Sequence, residues 1–154
     1  MRWSCSVSDV IRAPDCVFCS IVAGHADRSV VFEDATTMAF MDILPINPGH
    51  LVVVPKDHTV DLAGLPLSLG GDMMRTAMRC AAALRSGPMR TDGINLFLAD
   101  GEAAGQEVFH AHLHVVPRIV GDGFTLSIDY DEPPARRVLD DHATIIANHL
   151  AATD

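Results

Sequence analysis

The chain has 154 residues, 49% of them apolar, which suffices for one compact domain with a full core. A formal charge of -9 argues against a general nucleic-acid surface, which needs a basic stripe for phosphates, but leaves room for a nucleotide in a local pocket. No window approaches the ~20 apolar residues of a membrane span, and Met1 to Asp15 holds no apolar stretch long enough for a secretory signal. The expectation is a cytoplasmic protein with its four cysteines reduced and no membrane partner.

In chain order, residues 1–14 read as an N-terminal tail and 15–154 as a single domain. Cys16 to Ala23 reads as a short helix. Ser29 to Glu33 and Thr37 to Asp42 read as strands joined by a turn at Asp34-Ala35, and His50 to Pro55 as a third strand after the turn residues Asn47-Pro48-Gly49. From Leu67 to Arg85, Met73, Met74, Ala77, Met78, Ala81 and Leu84 recur at helical spacing, with Arg75, Arg79 and Arg85 between them, the stripe of a core-facing helix. Gly87-Pro88 ends that helix, Gly93 to Leu98 reads as a strand, and a glycine-containing loop leads to a histidine-rich strand. A last helix begins near Pro134 with Val138, Leu139, Ile145, Ile146 and Leu150 on its apolar side. The order predicts an α+β domain on a mostly antiparallel sheet of about five strands, with one long helix and a C-terminal helix.

The segment His110-Ala-His-Leu-His-Val-Val-Pro-Arg118 carries the chemistry. In an extended chain, His110, His112 and His114 line one face and Ala111, Leu113 and Val115 the other. Imidazoles titrate near ~6.5, so each can trade protons, attack an electrophile or bind a metal near neutral pH. Spacing leaves open whether all three share one metal. The pair Cys16-Val-Phe-Cys19 is equally open between zinc, which needs four ligands, and a redox dithiol, which the absence of a βαβ context disfavours. Cys80 lies in the helical stripe and reads as packed, and Cys5 lies in the tail.

Taken with Phe40-Met-Asp-Ile-Leu-Pro-Ile-Asn-Pro-Gly-His50, Leu51-Val-Val-Val-Pro-Lys-Asp-His58 and Ala99-Asp-Gly-Glu-Ala-Ala-Gly-Gln-Glu-Val-Phe109, these motifs resemble the histidine triad (HIT) superfamily of nucleotide hydrolases and transferases. The likeness is to its bacterial HIT or Hint-like branch and covers about residues 15 to 121. It implies a HIT-like fold paired into a two-fold homodimer, and a purine nucleotide as substrate. It implies that His112 attacks the α-phosphorus to form a nucleotidyl-histidine, and that His114 and His110 complete the triad. On the substrate side it implies Asp42 for the ribose hydroxyls, a base pocket of Phe18, Ile21, Phe40 and Ile43, and His50 close to the triad. The loop residues Gly105, Gln106, Glu107 and Val108 follow, with backbone amides near Gly105 and Gln106 stabilising phosphoryl charge. The resemblance also completes the thiol pair, as a structural zinc site of Cys16, Cys19, His58 and His110; no organic cofactor is expected.

Two positions depart from the family pattern. Ala99 stands where an asparagine or glutamine is common, and Glu107 where the best-known eukaryotic branches carry serine or threonine. A carboxylate there repels an anionic leaving group. The expected activity is therefore hydrolysis of nucleoside phosphoramidates or adenylates. The alternatives are a dinucleoside polyphosphate hydrolase and a zinc-stabilised nucleotide-binding regulator with little turnover.

Overall fold

The computed structural model describes residues 12–127 and 132–152, so Cys5 and the first eleven residues of the expected tail lie outside the described residues. The chain divides into two compact units, Met1–Gly123 and Phe124–Asp154. The first holds a helix α1 (Val17–Ala23), strands β1 (Val30–Glu33), β2 (Thr37–Met41) and β3 (Leu51–Pro55), a long helix α2 (Leu67–Ser86), and strands β4 (Gly93–Phe97) and β5 (Leu113–Arg118). The second holds α3 (Arg136–Leu150), an amphipathic helix that starts two residues after Pro134.

The five strands form one antiparallel sheet in the order β1-β2-β3-β5-β4. Its register explains why the apolar runs of β2, β3 and β5 are nearly continuous, because both faces are covered. Ala39 pairs with Val53, Val53 with Leu113, and Leu51 with Val115, and these residues pack with Met73, Ala77, Cys80, Ala81 and Leu84 of α2. On the opposite face Met38, Phe40, Val52 and Val54 pack with Ile21 and Val22 of α1. His114 pairs with Val52 and Phe97, so it belongs to the α1 face. Strand alternation carries Asp42 and His50 to that same side, flanking it.

The periodic stripe on α2 is confirmed at Met73, Ala77, Ala81 and Leu84 but not at Met74 and Met78, which are exposed. Thr76 and Cys80 take their places in the core. The buried threonine is tolerated because its Oγ1 lies 2.8 Å from Thr37 Oγ1 on β2, leaving neither hydroxyl unpaired.

The turn that introduces His50 is fixed from three sides. Asn47 donates from Nδ2 to the Pro117 carbonyl (2.9 Å) and to Asp122 Oδ2 (2.8 Å), and Asp122 in turn holds Arg118 through two bonds of 2.7 Å. Gly49 has φ +92°, and a Cβ there would meet Leu84 Cδ2 at 2.9 Å and Pro117 Cγ at 3.3 Å. Left-handed backbone and contact with the core both demand glycine. Gly49→Ala is expected to lower stability by about 2–4 kcal/mol, measured as a reduced urea midpoint at unchanged m-value.

Candidate active site and metal centre

The three histidines do not share one strand. Only His114 lies within β5; His110 and His112 precede it, because pairing with β3 reaches no further than Val53–Leu113. Beyond that point loop carbonyls take over from the ladder: the Ala111 amide donates to Thr59 O (2.6 Å) and the His110 amide to Val108 O (2.8 Å). The alternation nevertheless puts the imidazoles on one side. Ring centroids run in file from His58 to His110 (5.1 Å), His112 to His114 (4.9 Å) and His114 to His50 (5.1 Å), with Phe18 bridging His110 (5.9 Å) and His112 (5.1 Å).

Hydrogen-bond partners assign each ring its role. His112 Nδ1 lies 2.7 Å from the His110 carbonyl, which only accepts, so in the neutral ring Nδ1 carries the proton and Nε2 the lone pair. His50 is buried, not a surface turn residue, and its Nδ1 accepts from the Ile46 amide (3.1 Å). The neutral ring therefore bears its proton on Nε2, which donates to His114 Nδ1 at 2.9 Å. That in turn leaves the His114 proton on Nε2, as a donor. Burial, together with the neighbouring rings His112 and His50, pulls His114 down to about 4 and outweighs the opposing charge of Asp42. Burial likewise lowers His50. Both rings are thus neutral near pH 7.

Two groups of metal-type side chains come together among the described residues, and they differ in this proton logic. In the first, Asp42 Oδ2 lies 3.5 Å from both His50 Nε2 and His114 Nδ1. The Nε2 that would face an ion is protonated, so this group is a hydrogen-bonded cluster and not a ligand set. In the second, His110 gives its Nε2 proton to the Pro55 carbonyl (2.9 Å) and turns an unprotonated Nδ1 to Cys16 Sγ (3.4 Å) and Cys19 Sγ (3.6 Å). His58 Nδ1 lies 3.3 Å from Cys19 Sγ. Tetrahedral zinc with its usual bond lengths spaces sulfur and nitrogen by ~3.5 Å, so Cys16, Cys19, His58 and His110 fit that ion. Burial drives the Cys19 thiol upward and takes His110 down to about 4, and a dication would offset the cost of thiolates in such a place.

The remaining residues of the expected site divide. Phe18 and Phe40 stand ring to ring at 5.5 Å beside the triad, while Ile21 and Phe40 are core residues of the α1 face. Ile43 is 92% exposed, in a turn where the Leu44 amide donates to Asp42 Oδ1 (2.8 Å). The amides of Gly105 and Gln106 do not face a phosphate site as free donors: they bond to Glu102 O (2.9 Å) and Gly101 O (3.1 Å) and so close the glycine loop on itself. The Gln106 side chain is buried, accepts from the Gly101 amide (2.8 Å) and donates to Val60 O (2.7 Å) and Val108 O (3.1 Å). Glu107 and Gly105 are exposed, Val108 half-buried. The acceptors Pro55 O, His110 O and Val108 O went unforeseen, since a carbonyl common to every residue leaves no sequence signal. Only the Asp-x-Leu spacing of the turn at Asp42 was there to be read.

Comparison with known proteins agrees with this geometry. The sequence model of the HIT domain matches residues 23–120. An uncharacterised HIT-like protein of Mycobacterium tuberculosis is 41% identical over 130 residues, 80% of this chain and 90% of the relative. The crystal structure of a zinc-bound histidine triad family protein from Mycobacterium smegmatis is 44% identical with a TM-score of 0.71, over 76% of this chain and 84% of that one. A HIT family protein from Bacillus anthracis superposes with a TM-score of 0.82 at 34% identity, over 90% and 99% of the two chains. A histidine triad nucleotide-binding protein from Candida albicans gives a TM-score of 0.80 at 26% identity, over 90% and 99%. The chain belongs to the HIT family, within a superfamily of nucleotide-binding proteins and hydrolases. No helix among the described residues is long and apolar enough to cross a membrane.

The neutral rings make stability depend on pH with a definite sign. A histidine whose folded pKa lies below its unfolded value excludes a proton only when folded, so stability falls as pH drops from about 6.5 towards 4 and changes no further below that. His114→Asn is expected to flatten this dependence by up to about 1.4 kcal/mol per pH unit, read from urea denaturation at half-unit steps of pH.

Proposed function

We propose that the protein hydrolyses purine nucleoside phosphoramidates or adenylates through a covalent nucleotidyl-His112 intermediate. The observation that carries this reading is the 2.7 Å bond from His112 Nδ1–H to the His110 carbonyl, which leaves Nε2 as the nucleophile beside the donor Nε2–H of His114. Nε2 attacks the α-phosphorus, the bond from phosphorus to the leaving amine or acyl oxygen breaks, and the nucleoside monophosphate is held on His112. Water then attacks the same phosphorus, the phosphorus–nitrogen bond breaks, and the monophosphate leaves. Imidazole serves because it is nucleophilic when neutral and a good leaving group once bonded to phosphorus. His114 hydrogen-bonds the phosphoryl oxygens, whose charge grows as the nucleophile arrives. Asp42, partly exposed at the edge of the cluster, accepts from the ribose hydroxyls, and Phe18 and Phe40 contribute to the base contact.

Glu107 selects the leaving group. Its exposed carboxylate, on the loop that precedes the triad, repels an anionic nucleotide or polyphosphate and tolerates an amine, which can take up a proton as it departs. The expected order of kcat/KM is adenosine phosphoramidates and aminoacyl-type adenylates ahead of diadenosine polyphosphates. His112→Asn is expected to lower turnover by at least about a thousandfold while nucleotide affinity, measured by calorimetry, changes little. Near-native turnover in that variant, or mass spectrometry locating the nucleotidyl group on another residue, contradicts the mechanism.

The second cluster holds one zinc ion on Cys16, Cys19, His58 and His110. Bound there, zinc supplies no chemistry to the reaction; it neutralises the thiolates and ties α1 to the end of β3 and the start of the triad. Protein purified without added metal is expected to contain one equivalent of zinc by elemental analysis. The Cys16→Ser, Cys19→Ser double variant is expected to contain none and to melt about 10 °C or more below wild type. Wild-type stability in a zinc-free double variant contradicts the assignment.

A further inference from the structure

We propose that Phe18 is a positioning residue for His112, holding the plane of the nucleophilic imidazole from within the Cys16–Cys19 turn. The inference rests on the reading of His112 as nucleophile. The hydrogen bond from Nδ1 to the His110 carbonyl restrains the ring, because turning about Cβ–Cγ swings Nδ1 away from its acceptor, but such a bond tolerates tens of degrees of misalignment and the terminal torsion of histidine is itself broad. Within that tolerance the plane is set by the rings packed against it: His114, at 4.9 Å and 70°, and Phe18, at 5.1 Å and 78°.

Phe18 can act as a wall because it is itself fixed. Its ring meets His110 at 5.9 Å and 75° and Phe40 at 5.5 Å and 67°, so with His112 three edge-to-face contacts, from β2 and from the triad segment, define its orientation. Its backbone lies between two cysteines whose sulfurs both approach His110 Nδ1, at 3.4 and 3.6 Å. The residue that ties this turn to the triad is thus the one whose carbonyl anchors the nucleophile. Displacement of Phe18 would leave His112 bonded but free to tilt Nε2 away from the line of attack, and misplacement of a reacting atom by about 1 Å costs on the order of a hundredfold in rate.

The test compares wild type with Phe18→Leu, Phe18→Met and Phe18→Tyr, using adenosine 5′-phosphoramidate and uridine 5′-phosphoramidate as substrates. Loss of the ring is expected to lower kcat about ten- to hundredfold, equally for the two bases, with KM within about twofold. Phe18→Tyr restores the ring edge and is expected to recover most of kcat. Nitrogen-15 spectra of the His112 ring supply a reading that needs no turnover: one Nδ1-protonated state in wild type and Phe18→Tyr, and averaged ring signals in the leucine and methionine variants. Methionine fills the same volume flexibly, so it stands in if the leucine variant does not fold. A rise in KM that differs between the bases with kcat unchanged would make Phe18 a base contact alone and overturn the proposal. A lower melting temperature with kcat and ring signals unchanged would reduce it to packing, and overturn it equally. If His112→Asn keeps its turnover, the nucleophile assignment fails by itself, and the ring spectra still decide whether Phe18 holds the imidazole.

Discussion

Three atoms of His110 tie the site together. Its Nε2 donates to the carbonyl of Pro55 at the end of β3, its Nδ1 faces the two thiols of the α1 turn, and its own carbonyl accepts the proton of His112 Nδ1. These bonds join three segments far apart in sequence, and each depends on the others. Without the Pro55 carbonyl the ring could take the other tautomer, point a protonated Nδ1 at the sulfurs and lose its fit to a cation. Without the ring in place, the carbonyl that orients the nucleophile has nothing to hold it.

The sheet explains why so much depends on one side chain. The α2 face is a conventional apolar core, in which a 20-residue helix covers Ala39, Leu51, Val53, Leu113 and Val115. Each fully buried aliphatic side chain there contributes about 1.5–3 kcal/mol of transfer free energy. The α1 face has much less. Its helix has seven residues, buries Cys19, Ile21 and Val22, and is well below the ~12–15 residues at which a helix has appreciable stability alone. Its C-terminus is closed by Gly24 at φ 80° and by Arg28 donating to the carbonyls of Ile21 and Val22. Its N-terminus has no side-chain cap, and what meets it instead is the thiol and imidazole cluster.

Neighbouring imidazoles in one file perform different tasks because different backbone groups engage their nitrogens. A carbonyl at Nε2 frees Nδ1 of His110 for a cation, and a carbonyl at Nδ1 frees Nε2 of His112 for attack. An amide at Nδ1 of His50 makes that ring a donor to His114, which excludes the pair and Asp42 as a ligand set although their spacing suits one. The chemistry of a histidine cluster is written in its main-chain partners as much as in its side chains.

Sequence periodicity determined most of the architecture here, since alternation and 3.6-residue spacing are local properties. The helices, the five strands, the core role of Cys80 and the alternation of the three histidines to one side were legible in this way, while the approach of Asp42 and His50 to the triad and the convergence of four ligand-type residues were implied only by the family resemblance. The failures have a common cause. Met74 and Met78 were read as core from helical spacing and are exposed, while Thr76 of α2 is buried because Thr37 on β2 supplies its partner. The resemblance placed backbone amides near Gly105 and Gln106 at the phosphoryl group, but the amides of these two residues already bond to Glu102 and Gly101. The strand of the triad was started three residues too early, at His110, because pairing with β3 stops at Val53–Leu113 and the Ala111 amide goes instead to the Thr59 carbonyl. Each of these turns on whether a donor or acceptor meets a partner far along the chain, and that depends on folded geometry which residue type and spacing do not encode.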